Sequence, residues 1–351
     1  MKRTGLFIIF FFVCAVPAMA GPKTVADYIQ LAHQKEGTFF DSDHYRDLEQ
    51  AIEIYDAIIK QYPKEFPEVY LYRAEDLVTA GYEKRAIKDF SKALTLDSAN
   101  PKGPYLRHGV IYEERGEAEE STYSYKAAAA DFTRALASRP TDRKLLGERA
   151  RVRMERGDCG GAISDYSSAI EQATPGEPAS SLDYEGRAVA RICTGDLPLA
   201  LGDYRTAIRA DKALDAHAHQ HFIISGELNK WALLRYMGRK SDADQELSAE
   251  LVAAGTPTGI DSEYDAARYF LGQVKEAVLF GDADALKKRQ PEYAGSFESD
   301  AWYRVGLKQV ADGHRAAALR DFRKVLAIHQ HTMGVVESTQ AWMRELNRKP
   351  H

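Results

Sequence analysis

The feature that most constrains this chain is an internal repeat anchored on glycine. An alanine stands five residues after each of five glycines, and an aromatic residue or a leucine stands nine residues after. The glycines are Gly81, Gly157, Gly195, Gly238 and Gly313, and the alanines are Ala86, Ala162, Ala200, Ala243 and Ala318. One such unit buries its apolar face only against its neighbours, so the chain is expected to fold as a stack of units.

Each unit has the pattern of a helical hairpin. Residues eleven, seven and four positions before the glycine lie on one helical stripe, as do residues five, nine and twelve positions after it. The glycine falls between the stripes, where one helix must end and the chain must turn back. Small residues on both stripes let the two helix backbones approach closely. Prolines that end a helix follow the second stripe at Pro63, Pro140 and Pro175.

One unit departs from the common spacing. Gly109, Tyr112 and Gly116 match the first half of the pattern, and Ala128 and Phe132 match the second half. Gly116 and Ala128 are twelve residues apart instead of five. This difference predicts an insertion near residues 117–124, which would lengthen the helix pair by about two turns.

Regularity also varies along the chain. A first unit is clear only in its second helix, through Ala51 and Tyr55, and a degenerate unit surrounds Gly281. Trp231 replaces the small residue before Gly238, and its bulk should prevent a close helix approach. We therefore predict regular units over residues 21–212 and degenerate or irregular helical repeats over 213–298. A terminal unit and a C-terminal helix are predicted over 299–346.

These residues resemble the tetratricopeptide repeat, from Val25 to His331. That family has a unit of about 34 residues with aromatic, small, glycine, alanine, aromatic, alanine and proline residues at these spacings. The resemblance implies an all-α fold, a right-handed α-solenoid of about seven or eight stacked hairpins. The alternative is an irregular helical bundle, which the repeated glycine–alanine spacing disfavours.

The resemblance also implies a binding surface. In this family the first helices line a concave groove that holds a peptide or a helix of another protein. The groove positions carried over are Leu71, Glu75, Val78, Leu106, Val110, Glu113, Arg151, Met154, Leu182, Glu185, Val189, Ile192, Tyr303, Leu307 and Val310. This mostly aliphatic set favours an apolar helix or extended segment, which can carry basic residues, as the partner. In the alternative, later repeats curl over and bury these residues.

The N-terminus has the pattern of a secretory signal peptide over residues 1–20. Lys2 and Arg3 precede an apolar run from Leu6 to Val16, and Ala18-Met19-Ala20 is a small-x-small cleavage pattern. A retained anchor is the alternative, but the run is short for a bilayer and no second long apolar run follows. We expect a periplasmic or secreted protein without a transmembrane segment after processing.

Several function classes are disfavoured. The formal net charge of −5 is a poor match to nucleic-acid binding. The sequence contains no G-x-x-x-x-G-K-[ST], G-x-G-x-x-G, G-x-S-x-G, H-E-x-x-H or C-x-x-C pattern. We therefore expect a protein that is not an enzyme and that uses no cofactor, although catalytic sites without a motif stay open.

Cysteines and histidines give two further hypotheses. Cys159 follows Gly157 by two residues and Cys193 precedes Gly195 by two, so both lie at the same end of adjacent hairpins. In an oxidising compartment they are expected to form a disulfide. His217 and His221 are four residues apart and could share a metal on one helix face. We favour solvated histidines and predict no metal site.

Together these features predict a non-enzymatic scaffold or adaptor in the cell envelope that binds a protein partner in its groove, in the setting of an envelope complex. The alternative is a periplasmic ligand-binding protein for a glycan strand or a metal ion. A closed polar pocket or converging histidines would favour that alternative, and a continuous apolar groove would favour the scaffold.

Overall fold

The computed structural model describes residues 24–42, 45–100, 102–174, 178–214, 220–256, 261–328 and 334–348. The proposed signal peptide lies outside these residues. All the long described elements are α-helices, so the all-α prediction is confirmed. Within the described ranges, no helix combines the length and the apolar character that crossing a membrane requires.

In the part of the chain that the structure describes, the helices pair in chain order into eight hairpins, and one more helix follows. Their bounds are α1 Val25–Ser42, α2 Tyr45–Gln61, α3 Pro67–Thr79, α4 Glu83–Ser98, α5 His108–Ser121, α6 Tyr125–Ser138, α7 Arg143–Glu155, α8 Cys159–Glu171, α9 Ser181–Thr194, α10 Leu197–Ala213, α11 Gln220–Tyr236, α12 Lys240–Ala254, α13 Ser262–Phe270, α14 Ala277–Arg289, α15 Ala294–Ala311, α16 Arg315–Ala327 and α17 Val335–Asn347. Helices α1–α4 form one compact unit and α5–α17 form a second, with the division between Leu106 and Arg107. The predicted change of regularity at residue 213 stays a prediction.

Small residues on the facing stripes bring the paired helices together, as the pattern predicts. Ala74 and Ala86 are fully buried in the α3–α4 hairpin, with Phe90 filling the space beside them. In the α15–α16 hairpin, a Cβ on Gly306 would lie 2.4 Å from the Phe322 ring. Only glycine therefore fits at that position.

The predicted insertion near residues 117–124 is wrong. Gly116 lies inside α5, where its backbone faces the Phe132 ring, and the turn falls seven residues later at Tyr123. Tyr123 has a φ of 60°, the left-handed conformation that the glycines occupy in the other turns. Counted from Tyr123, Gly116 and Phe132 take their normal repeat positions, so this hairpin has the common length.

The unit around Gly281 is also corrected. Gly281 lies within α14, and the turn between α13 and α14 contains Gly272 at a φ of 74°. Helix α13 is only nine residues long and packs on α11 and on α14. Trp231 is fully buried in α11, and its indole Nε1 donates to Asp244 over 2.8 Å. The smaller Leu247 stands where other hairpins have an aromatic residue, which makes room for the indole.

Four hairpins share an ion pair that the repeat pattern did not reveal. An arginine eight residues before the turn binds, through two nitrogens, an aspartate eight residues after it, with N–O distances of 2.5 to 3.0 Å. The pairs are Arg73–Asp89, Arg115–Asp131, Arg149–Asp165 and Arg187–Asp203. These aspartates are buried, and a bidentate arginine satisfies both carboxylate oxygens.

Candidate interaction surfaces

The two cysteines are joined, as predicted. Cys159 begins α8 and Cys193 lies near the end of α9, with their Cα atoms 6.2 Å apart. The bond links two adjacent hairpins and closes a segment with a sequence separation of 34 residues. In the chain-entropy account, a loop of this size stabilises the folded state by about 3 to 4 kcal/mol.

The C-terminal helix α17 covers part of the predicted groove. It packs on α9 most extensively, and also on α7, α15 and α16. Its apolar face buries Val335, Ala341, Trp342 and Leu346 in the core of the second unit. The Trp342 ring meets the Tyr236 ring edge to face, with centroids 5.4 Å apart. The inner surface of these hairpins is therefore occupied by the chain itself.

Polar contacts fix α17 beside the disulfide. The Arg344 Nη1 atom lies 3.2 Å from the Cys159 sulfur and 3.4 Å from the Cys193 sulfur. Arg348 donates to the carbonyl oxygen of Cys193, and the Gln340 amide lies 3.3 Å from a carboxylate oxygen of Glu155. These contacts tie α17 to the ends of α7 and α9.

A carboxyl pair also lies at this contact. Burial, together with the neighbouring Glu337 of α17, raises the pKa of Glu155 on α7 to about 7. Burial raises the pKa of Glu337 as well. The raised pKa values favour the protonated carboxyl groups at this contact, because two neighbouring carboxylates repel each other.

Five predicted groove residues do not line an open face. Met154, Ile192, Tyr303, Leu307 and Val310 are all buried in the core that contains α17. The alternative, in which later repeats cover these positions, describes this part of the molecule. Whether any of them contacts a partner stays untested.

The other predicted residues of the second unit are half-buried, apart from Leu182, which is exposed. Val189 packs against the buried core, so it does not lie on a free surface. Arg151 binds the carboxylates of Glu120 and Glu148. Val110, Glu113 and Glu185 complete the set, and Glu113 forms ion pairs with Arg139 and Lys144.

The corrected turn position changes which acidic residues of α5 occupy the predicted groove positions. Counted from Tyr123, the inner positions include Glu113, Glu117 and Glu120. Lys144 binds the carboxylates of Glu113 and Glu117, at 3.0 and 2.8 Å. The carboxylates of α5 therefore pair with the basic residues of α7.

In the first unit the predicted residues of α3 are more accessible. Glu75 is exposed, Val78 is 39% exposed and Leu71 is half-buried. Leu106 is corrected: it lies before α5 begins, and its backbone N–H donates to Asp97 over 3.0 Å. The inner face of α3 thus combines two aliphatic residues with a carboxylate.

Helix α1 completes this surface. We call it the α1–α3 face and define it by His33, Glu36, Leu71, Tyr72, Glu75, Asp76 and Val78. The His33 and Tyr72 rings meet edge to face with centroids 4.7 Å apart. Glu36 accepts a hydrogen bond from the Tyr55 hydroxyl over 2.5 Å, and its other oxygen lies 2.9 Å from His33 Nδ1.

Asp76 is the residue that sequence reasoning missed. It is 6% exposed, and its Oδ2 atom has no hydrogen-bond partner among the residues that the structure describes. Burial, then the charges of Glu36 and Glu75, raise the pKa of Asp76 to about 8. The repeat pattern could have identified Asp76, because this residue stands five residues before Gly81, where most other hairpins carry an apolar residue.

Only one of the two histidines in the metal hypothesis can be placed, because His217 lies outside the described residues. His221 Nδ1 lies 2.9 Å from a carboxylate oxygen of Glu263, and this contact raises the histidine pKa. Glu263 also binds Arg304. Among described positions, no cluster of three or more histidine, cysteine or carboxylate ligands could hold a metal ion.

Comparison with known proteins supports the fold. No protein-family model matches the chain. A solved tetratricopeptide repeat protein from Parabacteroides merdae is 14% identical, covers 90% of this chain and 99% of its own, and superposes with a TM-score of 0.51. The chain therefore has the α-solenoid fold of tetratricopeptide repeat proteins.

Other similar proteins match over smaller parts. The structure of YrrB, described as a TPR protein with an unusual peptide-binding site, is 19% identical over 53% of this chain and 86% of its own, with a TM-score of 0.45. A Protein SGT1 homolog of Oryza sativa subsp. japonica is 29% identical over 132 residues. That segment is 36% of this chain and 35% of the rice protein, so the chain spans about a third of that relative.

Proposed function

We propose that this chain is a non-enzymatic scaffold for protein–protein interaction and that its partner binds on the α1–α3 face. Stacked helical hairpins present rows of side chains without needing a catalytic group. YrrB, described as a TPR protein with a peptide-binding site, illustrates that a protein built from such hairpins can bind a polypeptide segment.

The observation that carries this proposal is the different exposure of the predicted groove residues in the two units. In the second unit α17 and its neighbours bury Met154, Ile192 and Leu307. In the first unit Glu75 is exposed and Val78 is 39% exposed. A surface with an aliphatic side chain beside a carboxylate is suited to binding an amphipathic segment.

We also propose that the protein acts in the periplasm or cell envelope, in association with an envelope complex. The basic and apolar pattern of residues 1–20 supports export. The Cys159–Cys193 disulfide supports the same compartment, because such bonds persist where the environment is oxidising.

Site-specific photo-crosslinking in the native host tests the scaffold. A photo-reactive amino acid at Val78 should give a protein adduct that mass spectrometry identifies as one partner. The matched control is Val252, an exposed aliphatic residue on α12, the second helix of its hairpin. It should give no such adduct. No adduct at Val78, or the same proteins captured at both positions, would contradict the proposal.

A further inference from the structure

Asp76 occupies a repeat position that is apolar in five other described hairpins. Five residues before the turn, those hairpins carry Ala118, Val152, Ala190, Leu233 and Ala267, and all five side chains are buried. An aspartate at this position adds nothing to packing and brings a carboxyl group into the interior. Its presence therefore lowers the stability of the first unit, unless something outside the described contacts satisfies it.

The described neighbours of Asp76 do not supply a counter-charge. Its described neighbours include the carboxylates of Glu36 and Glu75, both of which act on it electrostatically. The Tyr55 hydroxyl, which also lies close, already donates to Glu36. By contrast, Asp89 in the same hairpin is buried to a similar degree but is held by both nitrogens of Arg73. Asp76 thus lacks the arginine that holds Asp89.

The three carboxyl groups differ in exposure. The side chain of His33 is 42% exposed and that of Glu36 is 19% exposed, whereas Asp76 is only 6% exposed. Asp76 is therefore the most buried of the three, and Glu75 is exposed. A cationic group is favoured beside them, because it replaces water next to several carboxylates.

We propose that Glu36, Glu75 and Asp76 bind the side chain of a lysine or arginine from the protein partner. This inference rests on the proposed scaffold function and names the chemistry of its ligand. A cationic head group supplies the missing hydrogen bonds and charge, and charge-assisted bonds of this kind are the strong ones.

The shape of the face fits such a side chain. The aliphatic stem of a lysine or arginine can lie along Leu71 and Val78, which follow the same stripe of α3 as Glu75. The rings of His33 and Tyr72 contact each other on the same face, and an aromatic ring attracts cations. A long basic side chain on an otherwise apolar segment therefore matches both parts of the surface.

The test uses the full chain and two synthetic peptides labelled with fluorescein. One peptide alternates lysine with leucine, and the other has glutamate in place of lysine. Fluorescence anisotropy should show binding of the lysine peptide only, weakening as salt is added. Asp76→Ala should lower its affinity by about tenfold, the loss expected for one charge-assisted bond. The same variant should raise the melting temperature, because it restores the apolar repeat residue.

Two further variants make the result decisive. Asp76→Asn keeps the shape of the side chain and should also weaken binding, whereas Glu53→Ala removes an exposed carboxylate of α2 and should not. Unchanged affinity in both Asp76 variants, or equal binding of the glutamate peptide, would overturn the inference. A partner adduct at Val78 would then still support the scaffold, so the two proposals can fail separately.

Discussion

At the scale of single residues, two side chains depart from the repeat and lower stability in different ways. Tyr123 takes a turn position that glycine holds in other hairpins, at a φ of 60°. This departure stores backbone strain of about 1 to 2 kcal/mol without bringing a polar group into the interior. Asp76 instead places a carboxyl group in the core, where its cost depends on pH.

Tyr123→Gly is expected to stabilise the second unit slightly. Relief of the left-handed strain exceeds the extra chain entropy that glycine loses on folding, leaving a net gain of about 0.5 kcal/mol. Tyr123→Ala is the matched control, since it removes the exposed ring but keeps a Cβ. Urea unfolding measures both variants. If the glycine variant were less stable than the alanine variant, the turn assignment at Tyr123 would be wrong.

Asp76 should make stability fall as pH rises. Its folded pKa of about 8 lies above its ordinary value, so the folded state binds more protons than the unfolded state between those limits. The stabilisation is complete at low pH and is lost as pH rises towards 8, by up to about 1.4 kcal/mol per pH unit.

Thermal unfolding at about pH 5 and about pH 8 checks this dependence. The gain in melting temperature from Asp76→Ala should be larger at the higher pH, and Asp76→Asn should remove the same pH dependence. The groups that face Asp76, namely Glu36, Glu75 and Tyr55, are unchanged in both variants. An equal gain at both pH values would show that Asp76 is ionised in the folded protein throughout.

At the scale of elements, the repeat spacing predicted the hairpins well because small and aromatic residues dictate how close two helices pack. It placed the turn wrongly where tyrosine replaces the turn glycine and Gly116 stands seven residues earlier, and again around Gly281, where the turn glycine is Gly272. Alignment on Ala128 and Phe132 would have given the correct register. The position at which α17 packs was not predictable in this way, because the residues that it contacts, such as Cys193 and Tyr236, are distant in the sequence.

Trp342 is expected to carry most of the apolar energy that holds α17. The ring is fully buried, and truncating a buried tryptophan to alanine typically costs about 3 to 5 kcal/mol. Trp342→Ala should therefore lower the unfolding free energy by an amount in that range, measured in urea. Asn347→Ala, at an exposed position of the same helix, should change stability by less than about 0.5 kcal/mol. Equal effects of the two substitutions would mean that α17 is not docked in solution.

At the scale of the whole molecule, the chain itself covers predicted groove residues of the second unit, whereas those of α3 in the first unit stay accessible. Met154, Ile192 and Val310 are buried in the unit that contains α17, whereas Val78 and Glu75 remain accessible in the first unit. Sequence patterning could assign all five to first helices. It could not tell the covered from the open positions, because that difference depends on where a later helix packs. The disulfide was predictable because both cysteines lie at the same end of adjacent hairpins.

Hydrogen–deuterium exchange of the full chain, with and without the lysine–leucine peptide, tests most directly whether the second unit is covered and the first unit is open. We predict that the amides of α17 are protected in both samples and that the peptide adds protection only to α1 and α3. Amides of α17 that exchange as in an unfolded chain, or that lose protection when the peptide is added, would contradict this division.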